Sequence, residues 1–248
     1  MEILPAIDIL DGHAVRLLRG DYDAVTAYDE RPEAVAAAWA AGGATIVHVV
    51  DLEAARGGRP QEVAIRAVID VGTEVQLGGG IRTPDDAARA IDAGAKRVVV
   101  GSALVAPDPA ALEGIVERVG GTSVVGAIDV RAGRAVGHGW KGDGMSLAAV
   151  LERCRTFGVP RALVTGIEVD GTMDGPASML LEQVRSISPD LGLIASGGVG
   201  TIDDLRRLAG RGDLEGVIVG RALYEGRFTV REAIEAVSVR PPSAQGQA

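Results

Sequence analysis

The chain has 248 residues, 47% hydrophobic and 3% aromatic, and its 34 acidic residues outweigh 25 basic ones to leave a net charge of −9. That length suits one α/β barrel, which takes about 250 residues, better than two compact domains. The charge excludes nucleic acid as a partner, because a phosphate backbone needs a basic face; small anions, held by local N–H groups and a few arginines, stay open.

No apolar stretch reaches membrane-spanning length, and the first residues lack a basic region followed by a hydrophobic run, so neither membrane insertion nor secretion is expected. Cys154 is the only cysteine, which rules out an internal disulfide and points to the cytoplasm. His13, His48 and His138 are scattered without metal-ligand spacing, so no metal site is expected.

In chain order, eight apolar runs read as strands: Ile3–Ile9, Ile46–Leu52, Val75–Leu77, Arg97–Val100, Val124–Val130, Ala162–Ile167, Leu193–Ala195 and Val217–Val219. They are continuous rather than alternating, as parallel strands buried on both faces should be. Helical stretches lie between them, from Arg31 to Gly42, Thr83 to Gly94, Ser146 to Gly158 and Thr201 to Gly212. The segment Thr83-Pro84-Asp85-Asp86 supplies a cap, a proline at the first helical position and acids against the helix dipole. Eight strand–helix units with right-handed crossovers predict an α/β fold of the (βα)8 TIM-barrel type. One barrel domain should fill residues 1–240, and the polar residues 241–248 should be a disordered tail.

An internal repeat sharpens this expectation. Pro5-Ala6-Ile7-Asp8-Ile9 returns as Gly126-Ala127-Ile128-Asp129-Val130, and Gly78-Gly79-Gly80-Ile81 as Ser196-Gly197-Gly198-Val199. Val99 to Leu104 returns as Ile218 to Leu223, and His48-Val49-Val50-Asp51-Leu52 has a weaker echo in Leu163 to Ile167. The matches keep their order at nearly constant spacing, which predicts two fused half-barrels, about 1–122 and 123–240. A closed eight-strand barrel accommodates that symmetry; an open sheet gives no reason for it.

In such barrels the loops after the strands form the active site. Gly79, Gly80, Gly101 and Ser102 close strands three and four, and Gly197, Gly198, Gly220 and Arg221 close strands seven and eight. Glycines there admit a ligand close to the main chain, and the N–H groups that follow can hold a phosphate. Two equivalent cradles across one mouth predict an elongated small molecule with a phosphate at each end. Between them stand Asp8 and Asp129, ending strands one and five, and Asp170 beyond strand six, suited to moving protons between carbon and oxygen. A carboxyl that donates at neutral pH must have its pKa raised by burial or a neighbouring anion.

Other candidates surround these. Arg16 and Arg19 follow strand one and could clamp a phosphate or carboxylate, and Arg82 directly follows the first glycine cluster. His48 is internal to a strand, which suits either a satisfied core histidine or a ligand contact. Thr165 ends strand six within reach of a substrate. Trp140, alone among glycines in Gly137-His138-Gly139-Trp140-Lys141-Gly142, is placed to stack on a planar ring.

With these residues assembled, the chain resembles the phosphoribosylformimino-aminoimidazole carboxamide ribotide isomerases of histidine biosynthesis. The resemblance is carried by Pro5–Asp8, Val15–Leu17, His48–Leu52, Gly78–Arg82, Ala127–Arg131, Gly139-Trp140, Asp170–Thr172, Ser196–Gly198 and Val217–Ala222. It implies an Amadori rearrangement of an aminoaldose to an aminoketose without a cofactor, on a bis-phosphorylated substrate; a monomer is expected, although the sequence itself does not reveal the oligomeric state. It also implies that Asp8 removes the proton from C2 of the opened sugar; Asp129 and Asp170 both match positions with a claim to be the donor that opens the ring, with Asp170 the favoured one and Asp129 close to the ligand. The chain departs from the family pattern at Gly166, where an acid is usual, and this glycine should loosen the loop leading to Asp170. An actinobacterial branch that also isomerises phosphoribosylanthranilate carries arginine where His138 stands. The paralogous cyclase favours a cysteine before the first aspartate, where this chain has Ala6 and Ile7, and a barrel that binds phosphometabolites without turnover is the remaining alternative.

Overall fold

A computed structural model describes residues 1–18, 21–28, 31–137 and 140–238. The expectations for Arg19, His138 and the tail at 241–248 lie outside the described residues. The first strand, β1 (Glu2–Leu10), runs into a hairpin of β2 (His13–Leu18) and β3 (Asp21–Ala27). The barrel continues through β4 (Ile46–Asp51), β5 (Glu74–Gly78), β6 (Arg97–Val100) and β7 (Val124–Arg131). A second hairpin follows, β8 (Arg134–Gly137) and β9 (Lys141–Ser146), before β10 (Arg161–Gly166), β11 (Gly192–Ser196) and β12 (Leu214–Val219) complete the ring.

Eight of these strands are parallel and closed, in the order β1, β4, β5, β6, β7, β10, β11, β12 and back to β1. The helices are α1 (Pro32–Ala41), α2 (Leu52–Ala55), α3 (Glu62–Ile69), α4 (Pro84–Asp92), α5 (Ser102–Val105), α6 (Ala110–Val119), α7 (Leu147–Thr156), α8 (Ser178–Ile187), α9 (Ile202–Gly210), α10 (Arg221–Tyr224) and α11 (Val230–Ser238). This is the (βα)8 barrel predicted from the apolar runs. Among the described residues no helix is long and apolar enough to cross a membrane.

Strand alternation sorts the core into two layers. One face of each strand sends residues such as Ile7, Val49 and Ile128 toward the helices, and these join the large outer core. The other face fills the barrel with a smaller cluster that includes Leu4, Ala6, Ile46, Val125, Ala127, Leu163 and Ile194. Two residues further along the same inward face of four strands stand Asp8, His48, Asp129 and Thr165, where the apolar plug ends.

The two halves end their third and seventh units alike. Thr83 and Thr201 each accept from the residue three ahead, and Asp86 and Asp204 return a bond to the cap, giving two capping boxes at α4 and α9. Asp204 is the more buried member and also accepts from the Gly200 N–H at 3.0 Å. These boxes fix the chain immediately after each glycine cluster.

The hairpins were not expected from the sequence. Asp8 pairs antiparallel with Val15, and Asp129 with Val136, so each aspartate sits where a barrel strand continues into a hairpin. The turns that lead from β1 into β2 and from β7 into β8 are Asp11-Gly12 and Ala132-Gly133, with both residues at positive φ in each (49° and 77°, 47° and 75°). These are two-residue hairpin turns of the type that matches strand twist.

Candidate active site

The polar ends of the inward faces open into a cavity of about 250 Å³ at the mouth of the barrel. Asp8, Arg16, His48, Arg82, Asp129, Trp140, Thr165 and Asp170 all line it, as do Gly79, Gly80, Gly101 and Ser102. A narrower recess of about 20 Å³ adjoins it, lined by Gly197, Gly198, Gly220 and Arg221 and sharing Arg16 and Asp170 with the main cavity. The structure thus brings together every candidate the sequence offered within the described residues.

Arg16, carried by β2, is the centre of charge. Its Nη1 donates to Asp8 at 2.9 Å, and its Nη2 lies 3.6 Å from Asp170. Burial works against the guanidinium, but Asp8 and then Asp170 hold its pKa above the ordinary value, so it stays charged. Burial also raises the Asp8 carboxyl above its usual range; Arg16 opposes that shift and Asp170 adds to it.

Asp129 stands apart from this bridge. Burial pushes its pKa up, hydrogen bonds from Thr165 and Trp140 pull it down, and Asp170 raises it. Thr165 is its direct neighbour in the β7–β10 register. Trp140 follows β8 in the turn of the second hairpin with a φ of 68°, rare for a bulky residue, and Arg131 Nη1 donates to its carbonyl at 2.9 Å. The indole is therefore held over the mouth at some conformational cost.

The two glycine clusters share one backbone form. Gly79 and Gly80 have φ of 91° and 75°, Gly197 and Gly198 of 89° and 80°. A side chain at either cluster would strike main chain: a Cβ at Gly79 would lie 2.2 Å from the Asp51 carbonyl oxygen, and one at Gly198 2.0 Å from that of Gly175. The clusters differ in what fills them. The first opens on the main cavity, whereas the second is nearly occupied by Arg16 against Gly220.

Two arginines do less toward the cavity than their positions suggested. The Arg82 guanidinium donates to the carbonyls of Ala54 at 3.0 Å and Ala55 at 2.6 Å, which closes the C-terminal end of α2. Arg221 donates to Glu225 at 2.5 Å and to the Gly171 carbonyl at 2.9 Å, tying the loop after β10 to α10. Nor is the loop to Asp170 loosened at Gly166. A Cβ there would lie 2.7 Å from that of Ala177, so the glycine permits close packing, and Val169 and Asp170 N–H groups bond back to Gly166 and Ile167.

Tyr22, on β3, was missed. It lines the cavity from the first hairpin, donates to the Leu52 carbonyl at 3.2 Å and lies under the Arg56 guanidinium, 4.8 Å from the ring centroid. The reasoning applied to Trp140, a lone aromatic in a polar segment, would have found it.

Comparison with known proteins agrees with this geometry. Residues 2–229 match the model of the family described as histidine biosynthesis protein. A protein of Roseiflexus castenholzii named 1-(5-phosphoribosyl)-5-((5-phosphoribosylamino)methylideneamino)imidazole-4-carboxamide isomerase is 45% identical over 240 residues, covering 95% of this chain and 99% of its own. A protein of that name from Sorangium cellulosum is 46% identical, covering 96% and 100%. A Mycobacteroides abscessus protein named phosphoribosyl isomerase A is 43% identical over 95% of this chain and 98% of its own. With its closed barrel, paired glycine clusters and buried carboxylates, the chain belongs to the histidine biosynthesis protein family.

Proposed function

We propose that this chain isomerises a bis-phosphorylated aminoaldose, the imidazole carboxamide named in its relatives, to the corresponding aminoketose. The observation that carries the reading is the Arg16 bridge: Asp8 and Asp170 share one guanidinium between two glycine cradles. The phosphates would sit on Gly79, Gly80, Gly101 and Ser102 at one end and on Gly197, Gly198, Gly220 and the Arg221 N–H at the other.

Asp170 donates a proton to the ring oxygen, and the bond from that oxygen to C1 breaks to leave an iminium. Asp8 then takes the proton from C2, the electron pair forms the enolamine, and tautomerisation places the carbonyl at C2. Arg16 holds Asp170 more loosely than Asp8, and an arriving dianion competes for that guanidinium. Asp129, with Thr165, faces the sugar, and Trp140 stacks on the planar base. The natural setting is a monomer in the cytoplasm acting on a small molecule, away from nucleic acid and membrane.

One assay tests the reading: the aminoaldose and phosphoribosylanthranilate are offered separately. Turnover of the first alone supports it, and turnover of both widens it to the dual-substrate branch. Turnover of neither, with binding retained, leaves a non-catalytic barrel; turnover of the ketose with ammonia would make the chain a cyclase.

A further inference from the structure

Three neighbouring strands carry a polar ladder through the otherwise apolar barrel. In the sheet register His48 on β4 lies opposite Gln76 on β5, and Gln76 lies opposite Arg97 on β6. All three are buried, Gln76 completely. Arg97 Nε donates to Gln76 Oε1 at 2.7 Å, and Gln76 Nε2 lies 3.0 Å from His48 Nδ1. The far end is anchored as well, since Glu215 on β12 lies 3.6 Å from Arg97 and 2.5 Å from Arg161.

The chemistry of the three groups fixes the direction of every bond. A guanidinium has only donors, so the Gln76 atom that faces it is the oxygen. The amide nitrogen then faces His48, and it too can only donate. Nδ1 must accept, which leaves the neutral imidazole with its hydrogen on Nε2. His48 lines the cavity, so Nε2–H is what the ring can offer a ligand.

We infer that Gln76 and Arg97 are positioning residues that hold His48 as the neutral Nε2–H tautomer, a donor to a substrate oxygen. Only the identity of that oxygen, one belonging to the sugar phosphate, rests on the function proposed above. The surrounding charges act in the same sense: burial, then Arg16 from β2 and Arg97 from β6, press the His48 pKa down to about 3. Asp8 on β1 is engaged with Arg16. A ring held in this way does not compete with Asp8 for the carbon-bound proton, because its basic nitrogen is already occupied.

The test is a long-range proton–nitrogen correlation spectrum of the unliganded protein labelled in its three histidines, with His48 assigned by His48→Gln. The expected pattern is a protonated Nε2 with a bare Nδ1, unchanged from about pH 5 to about pH 8. Gln76→Glu puts an acceptor against Nδ1 and should protonate it, with kcat/KM about three- to tenfold lower, the scale of one neutral hydrogen bond. Arg97→Lys keeps a donor and should keep the wild-type pattern. A hydrogen on Nδ1 in the wild type, a His48 titration near the ordinary value of about 6.5, or an unchanged spectrum in folded Gln76→Glu would overturn the inference. If Gln76→Glu does not fold, the wild-type spectrum and Arg97→Lys decide. An inactive chain can still show the expected tautomer, and an active chain with the other tautomer would sink this inference alone.

Discussion

Arg16 lies against Gly220 so closely that a Cβ there would come within 2.7 Å of the guanidinium carbon and 2.9 Å of Nη1, the nitrogen that binds Asp8. The last glycine of the second cradle therefore sets the position of the cation shared by two carboxylates. Gly220→Ala should fold, because a flexible arginine can yield, but Arg16 must then leave its place between Asp8 and Asp170. We expect kcat/KM to fall roughly 10- to 100-fold, the scale of a misplaced catalytic group, with little change in Tm. Unchanged kinetics would show that Arg16 does not need this seat.

Asp8→Asn should reduce kcat by at least about 10²-fold, the lower range for a general base, while substrate affinity stays within a few-fold because phosphate contacts dominate binding. Burial raises the Asp8 pKa, so the acid limb of the wild-type kcat/KM profile should lie above the ordinary carboxylate range, with activity lost as pH falls through it. A profile flat from about pH 5 to about pH 9 would be incompatible with a carboxylate acid–base pair.

Asp129 bears on stability as well. Its folded pKa lies above 3.8, so the folded chain binds the proton more tightly and loses stability as pH rises from that value through the folded pKa. Asp129→Asn removes the ionisation and hence the loss. The variant should be at least as stable as wild type at pH 7, with the difference shrinking toward about pH 4, measured by thermal melts across pH. A variant that becomes relatively more stable on acidification would reverse the assigned sign.

Ala132 occupies the first position of its hairpin turn at a φ of 47°, where the other hairpin has Asp11 at 49°. Alanine is disfavoured in that conformation, and asparagine tolerates it. Ala132→Asn should stabilise by about 0.5–1 kcal/mol, read as a rise in the urea midpoint at constant slope. No gain would mean that the alanine methyl is making a compensating contact.

The barrel strands were legible because parallel strands buried on both faces leave continuous apolar runs, and Asp8 and Asp129 because they stand near the ends of those runs. The reversal from β1 into the first hairpin was legible too: Asp11-Gly12 between apolar segments is a strong turn signal that the barrel reading passed over. The second was not, since Ala132-Gly133 and the glycine-rich Lys141–Ser146 carry little strand preference. Nor could sequence say that Arg82 and Arg221 would spend their guanidinium groups on carbonyl and carboxylate oxygens of nearby loops and helices. The His48 ladder depends on register among β4, β5 and β6, and a glutamine between two apolar neighbours does not announce which face it takes.

Gln76 has a consequence for anyone redesigning this scaffold. It is fully enclosed, so a leucine of similar bulk looks like a gain in hydrocarbon packing. Yet that exchange strands Arg97 Nε on one side and His48 Nδ1 on the other, in a place that water does not reach. Positions 48, 76 and 97 therefore form a linked unit of inheritance: substitutions there should be strongly non-additive, and successful repacking would have to exchange all three at once.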